Sequence, residues 1–216
     1  MTHVATELAN LGRAFHGRGW VPATSGNFSA VVSRSPLRLA ITASGLDKGA
    51  LTSGDILVVD EEGVPVEGNG RPSNETGLHL AVVRACGAGA VLHTHSMWGT
   101  LASLRHASGG AVELEGYELL KALAGVGTHE HRERVPIVAN DQDIGAMSRV
   151  VEDHLVRDPR LHAFLIEGHG LYTWGADLEA ARRHVEALEF LFELSERAGE
   201  QATTQGADLH GDLARA

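Results

Sequence analysis

The chain has 216 residues, 43% hydrophobic and 21% charged, the composition of one globular domain able to bury a sizeable core. Its 28 acidic against 18 basic side chains leave a net charge of −10, which argues against nucleic acid or an anionic membrane as partner. One cysteine, Cys86, excludes an internal disulfide framework; without a secretory leader or a ~20-residue apolar run, the expected location is the cytoplasm.

Residues 4–19 read as a helix, with Val4, Leu8, Leu11 and Phe15 at helical spacing and Gly17 and Gly19 at its end. A turn of small and hydroxyl residues, 23–29, leads into a strand at Ala30-Val31-Val32. Further strands are expected at 37–42, 56–60 and 64–66. Pro72-Ser73-Asn74-Glu75 reads as a helix start, and Leu78, Val82 and Ala85 carry that helix to Cys86, taken as a buried small hydrophobe.

Residues 90–95 form an apolar strand ending in His93-Thr94-His95. A helix follows from Met97 to about Arg105, then a short extended piece at 112–114 and a turn or short helix at 117–123. A strand at 135–138 precedes a helix from Asp143 to about Leu155. Strands at 163–166 and 170–174 flank the bend Glu167-Gly168-His169. Asp177 then caps a long helix running to about Arg197, and a polar tail, 199–216, is expected to be disordered. Strands interspersed with helices, without an internal repeat or linker, indicate one layered α/β domain over residues 1–198.

Side chains two apart on a strand share a face, so His93 and His95 lie side by side as a pair of metal ligands or as strand-end histidines bonded to backbone. His169, between two glycines at a sharp bend, is the third candidate. Three histidines with an open fourth position describe a catalytic zinc site, and imidazoles accept other divalent transition metals too. The turns Ser25-Gly26-Asn27, Ala43-Ser44-Gly45 and Arg71-Pro72-Ser73 carry the N–H and hydroxyl groups that can cradle a phosphate; plain turn chemistry accounts for any one of them alone. Lys48 could add positive charge. Glu75, Glu115 and Glu118 are acids able to move a proton beside a polarised carbonyl.

Five motifs in order, Ser25-Gly26-Asn27-Phe28-Ser29, Ala43-Ser44-Gly45, Pro72-Ser73-Asn74-Glu75, His93-Thr94-His95-Ser96 and Gly168-His169-Gly170, resemble the class II aldolase/adducin-head family over about residues 5–197. The resemblance implies a three-layer α/β/α domain around a central, mainly antiparallel sheet. It implies one zinc ion per subunit on His93, His95 and His169. A sugar phosphate would be held by Gly26, Asn27, Ser44, Gly45 and Ser73, in a homotetramer whose sites lie at subunit interfaces.

The phrases Ser44-Gly45-Leu46-Asp47-Lys48, Leu114-Glu115-Gly116-Tyr117-Glu118-Leu119-Leu120-Lys121 and Gly170-Leu171-Tyr172-Thr173-Trp174-Gly175 look like the branch that dehydrates methylthioribulose 1-phosphate in methionine salvage. In that branch the position of Glu118 is the acid/base. In the sugar-phosphate aldolases it is the position of Glu75, which can also approach the metal. Aldol cleavage is therefore the alternative activity, and a non-catalytic assembly domain of the adducin type a remote one. Trp98, Phe28 and Trp174 are candidate walls for the substrate's tail.

Overall fold

The computed structural model describes residues 2–213, with side chains to Gly199. Helix α1 (Thr2–Gly17) precedes β1 (Asn27–Arg34), β2 (Leu37–Thr42), β3 (Ile56–Val59) and β4 (Pro65–Glu67). Then come α2 (Thr76–Cys86), β5 (Ala90–Thr94), α3 (Met97–Arg105), β6 (Ala111–Glu115), β7 (Arg132–Val138), α4 (Ile144–Arg157), β8 (Ala163–Ile166), β9 (Gly170–Gly175) and α5 (Leu178–Leu213). The strands form one sheet in the order β4-β3-β2-β1-β5-β9-β8-β7-β6. Every neighbouring pair is antiparallel except β7 with β8. No helix among the described residues is long and apolar enough to cross a membrane.

The period-two alternation of each strand sorts side chains onto two faces, and each face is covered by helices. On one face Val91, Phe164, Ile166, Tyr172 and Trp174 pack under Leu78 and Val82 of α2 and Met147, Val151 and Leu155 of α4. On the other, Phe28, Ala30, Ala90 and Leu92 meet Leu8, Leu11 and Phe15 of α1 and Val185 of α5. Beside them Leu165 and Leu171 meet Ala102 of α3 and Leu188, Leu191 and Phe192 of α5. The result is the expected α/β/α sandwich with a mainly antiparallel centre. The middle strand pair, β5 and β9, is buried on both sides.

Three details depart from expectation. Helix α2 starts at Thr76, so Pro72 and Ser73 lie in the approach rather than in its first turn, and Ser73 O instead accepts the Thr76 N–H at 3.1 Å. Cys86 is exposed, because it is the last helical residue and Gly87, in the left-handed conformation, turns the chain away there. Helix α5 continues past Arg197 to Leu213 with no proline to stop it, so no break in the helix marks the expected boundary at 198; residues 214–216 lie outside the described residues.

Candidate active site

The site is built across three neighbouring strands in register. On β1, β5 and β9 the residues Asn27, His93 and Tyr172 stand directly opposite one another, all on the face covered by α2. The His93 ring stacks on Tyr172, with centroids 4.0 Å apart and planes 14° apart. Tyr172 in turn stacks on Phe164. His95 lies one residue beyond β5, where Ser96 caps α3 by accepting the Gly99 N–H. Its ring comes to 4.5 Å from that of His93.

His169 sits at the tip of the β8–β9 hairpin. Gly168 takes a positive φ of 64°, and a Cβ on Gly170 would lie 2.0 Å from the Thr94 carbonyl oxygen. Both glycines are therefore required by the bend that brings His169 over the end of β5. Helix α3 holds the hairpin from outside: Ser103 Oγ accepts from the Gly168 N–H at 2.9 Å, and Thr100 Oγ donates to the His169 carbonyl at 3.0 Å.

One nitrogen from each of His93, His95 and His169 lies within 4.8 Å of the other two. His93 Nδ1 donates to the Leu171 carbonyl at 2.9 Å, which leaves Nε2 as the bare nitrogen; that atom is fully buried and has no hydrogen-bond partner. His169 Nδ1 is also buried without one. Burial, and then the neighbouring His169, lower His95 to about 4, and burial holds His93 well below its usual value. The bare buried Nε2 of His93 converges with the Nε2 atoms of His95 and His169, 3.1 Å apart, and such a convergence of imidazole nitrogens is what a divalent metal requires, so the cluster fits a metal ion.

Glu75, at the N-terminus of α2, lies against this cluster. One oxygen is 3.2 Å from His169 Nε2 and the other 3.6 Å from His93 Nε2. Asn27 Nδ2 donates to Glu75 Oε2 at 2.7 Å. Burial alone would raise this carboxyl, but His169, His93 and the Asn27 amide more than offset it and hold Glu75 well below the usual carboxylate range. It is ionised, and it lies beside the point where the three imidazoles converge.

Gly26, Asn27, Ser44, Gly45, Lys48, Ser73, Glu75, His95 and His169 line one small cleft, of about 140 Å³. Three turns far apart in sequence thus meet at the histidines. Gly26 has a positive φ, and a Cβ there would lie 2.8 Å from the His93 carbonyl oxygen. Lys48 is buried, its ammonium donating to the carbonyls of Thr24 (3.0 Å) and Leu46 (2.8 Å). Burial lowers its pKa, and Asp47 acts in the opposite direction.

Glu118 does not join the cluster within the chain. It opens a 3-10 turn, Glu118–Ala122, with its side chain 73% exposed and paired to Lys121 and His129. Around it Tyr117, Leu119, Phe190 and Leu194 form a shallow, mostly apolar surface hollow. Glu115 is likewise exposed, on Arg132. The three aromatic residues expected to wall the substrate's tail are absent from the small cleft: Phe28 and Trp174 are core, and Trp98 packs against the α3–α5 layer. A larger cleft of about 710 Å³, reaching from Cys86 to His184, is lined by Trp174 but holds none of the predicted metal, phosphate or acid/base residues.

Sequence reading missed Tyr172, which forms the floor under His93, and His79, which is wholly buried and bonds to Asn27. The signal for His79 was present: it follows Glu75 by four residues, one helical turn on the same face.

Comparison with known proteins gives three findings. The family model for the class II aldolase and adducin N-terminal domain matches residues 6–195. A methylthioribulose-1-phosphate dehydratase of Methylococcus capsulatus is 52% identical over 194 residues, covering 89% of this chain and 93% of that one; one of Pseudomonas fluorescens is 44% identical, covering 94% and 97%. Among solved structures, L-fuculose-1-phosphate aldolase of Thermus thermophilus superposes with a TM-score of 0.72 at 26% identity, over 93% of this chain and 99% of that one. With fold, histidine cluster and sequence in agreement, the chain belongs to the class II aldolase and adducin N-terminal domain family.

Proposed function

We propose that this protein eliminates water from 5-methylthioribulose 1-phosphate to give the 2,3-diketo-5-methylthiopentyl 1-phosphate, as a zinc-dependent lyase of methionine salvage. The observation that carries the reading is the cleft in which three phosphate-type turns meet His95 and His169 of the three-histidine cluster, with His93 buried directly beneath. The chain's relatives, about half identical over nearly the full length, bear the name of that dehydratase.

His93, His95 and His169 would hold a zinc ion, which would supply Lewis-acid polarisation of a carbonyl. The turn residues Gly26, Ser44, Gly45 and Ser73, with Asn27 and Lys48, hold the phosphate. Glu118 takes the proton from C3, leaving an enediolate across C2 and C3. The C4–O bond then breaks, and the same carboxyl returns the proton to the departing hydroxide as water. The remaining enol tautomerises to the diketone.

Glu118 reaches this chemistry from a neighbouring subunit of a homotetramer. Two features support that placement. The acid is exposed beside an apolar hollow, and the cleft of one chain is well below the ~300–1,000 Å³ of ordinary small-molecule sites. Aldol cleavage is the second reading. It is favoured by Glu75, an ionised carboxylate already at the histidines, which is where an aldolase base would sit.

Purified protein given methylthioribulose, fuculose and ribulose phosphates, with products read by mass, separates the two. Dehydration yields a product one water lighter than methylthioribulose phosphate. Release of dihydroxyacetone phosphate and an aldehyde would establish cleavage instead.

A further inference from the structure

From the wall of the cleft into the core, five side chains form a branched chain of hydrogen bonds. Ser29 Oγ lies 2.7 Å from His79 Nδ1, His79 Nε2 bonds to Asn27 Oδ1, and Asn27 Nδ2 donates to Glu75 Oε2 at 2.7 Å and to Ser73 Oγ at 3.3 Å. Ser29 and Asn27 are two apart on β1 and so share a face; Glu75 and His79 are one turn apart at the start of α2. His79 is fully buried and edge-on to Tyr172.

The donor–acceptor inventory gives this chain one direction. Glu75 is a carboxylate and can only accept, so Asn27 must turn its NH₂ toward it and its carbonyl oxygen toward α2. That oxygen can only accept, so His79 Nε2 carries the hydrogen. A neutral imidazole has one N–H, so Nδ1 is bare and accepts from the Ser29 hydroxyl. The alternative partner of that hydroxyl, the Val91 carbonyl, is 3.4 Å away and does not compete. Burial supports the neutral form of His79 by lowering it to about 4.

We propose that His79, seated on Ser29, is a positioning residue that locks the Asn27 amide with its two hydrogens on Glu75 and Ser73. Without His79 nothing holds Asn27 Oδ1 back. A flipped amide would present that oxygen to the Glu75 carboxylate and release Ser73. In the locked arrangement Ser73 Oγ accepts from Asn27 and from the Glu75 N–H at 3.2 Å, so its own hydrogen is left for a substrate oxygen. One buried imidazole thereby sets the orientation of three groups in the cleft without touching substrate.

The kinetic arm of the test rests on the dehydratase reading; the spectroscopic arm does not. In the zinc-loaded protein with ¹⁵N-labelled histidine, His79 is expected as the Nε2–H tautomer, and an Nδ1–H tautomer at neutral pH would overturn the proposal. His79→Leu is expected to lower kcat/KM by about 10- to 100-fold. His79→Gln, whose amide can both donate to Asn27 and accept from Ser29, should restore most of it. In the Asn27→Ala background the His79→Leu change should cost nothing further, since its effect passes through that amide. Multiplied losses, or equal activity of the Leu and Gln variants, would make His79 a packing residue only. A wild-type protein that turns over no methylthioribulose phosphate would sink the functional reading, while the tautomer still decides the role of His79. Should His79→Leu not fold, the Gln variant and the tautomer carry the test.

Discussion

His93 shows how one side chain acquires a chemical role from its neighbours. Its Nδ1 is committed to the Leu171 carbonyl, its ring face is covered by Tyr172, and its Nε2 is left bare toward His95 and His169. Replacing a ligand of this kind should empty the site. His169→Ala is expected to bring bound zinc well below one per chain and to abolish turnover; far-UV circular dichroism should be unchanged, since the residue is at a hairpin tip. Full metal content in that variant would remove His169 from the ligand set. Glu118→Gln is expected to lower kcat about 10²- to 10⁴-fold while metal content stays at the wild-type level. Unchanged turnover would transfer the proton-moving role elsewhere.

The histidine cluster was legible because two signals coincide, alternation on a strand for His93 and His95 and flanking glycines for His169. The placement of Glu118 was not legible. A sequence ranks an acid by its local motif, and nothing in residues 117–121 records that its side chain stays outside the chain's own cleft.

At the level of elements, strand β5 is fixed from below as well as from its edges. Thr94 Oγ donates to Glu189 of α5 at 2.5 Å, and Glu189 is itself buried. Burial raises this carboxyl to about 7, against the hydrogen bonds from Ser96 and Thr94. The folded state therefore holds a proton that the unfolded chain releases near pH 4.5. Stability from this group is fully present below that value and is lost as pH rises through about 7. The buried neutral histidines His79, His93, His95 and His184 add a rise with pH that wild type and Glu189→Gln share, so the variant's denaturant midpoint relative to wild type should climb between pH 5 and 7. A difference between the two midpoints that stays constant across this range would contradict the assignment.

The hairpin of β8 and β9 makes a second prediction. Gly170→Ala sets a Cβ against the Thr94 carbonyl and should destabilise the fold by about 2–4 kcal/mol, read by denaturant unfolding. An unchanged midpoint would show that the strands can separate there. Most strands could be read from alternation, but β1 begins at Asn27, inside the stretch read as a turn over 23–29, and the start of α2 could not be read either. Pro72 and Ser73 carry helix-start chemistry, but Ser73 instead supplies its hydroxyl to the cleft and its carbonyl to the turn before the helix.

For the whole molecule, the sandwich places its middle strands where they can carry the metal ligands on one face while α5 braces them on the other. Its layers and mainly antiparallel sheet follow from strand and helix patterning together with the family resemblance. What patterning cannot supply is the assembly. A single chain gathers the histidines, the three turns and Glu75, but keeps Glu118 on its outer surface. The account therefore requires a site completed between subunits, each contributing a different part.

Mixing subunits tests this most directly. His169→Ala chains lack the metal site and Glu118→Gln chains lack the acid, so each homo-oligomer is inactive. Co-expressed in equal amounts, they should assemble some sites from an intact histidine cluster on one chain and an intact Glu118 on its neighbour. Random assembly predicts recovery of about a quarter of wild-type dehydration of methylthioribulose phosphate. Oligomers shown to contain both chains, yet no more active than either parent, would contradict the account.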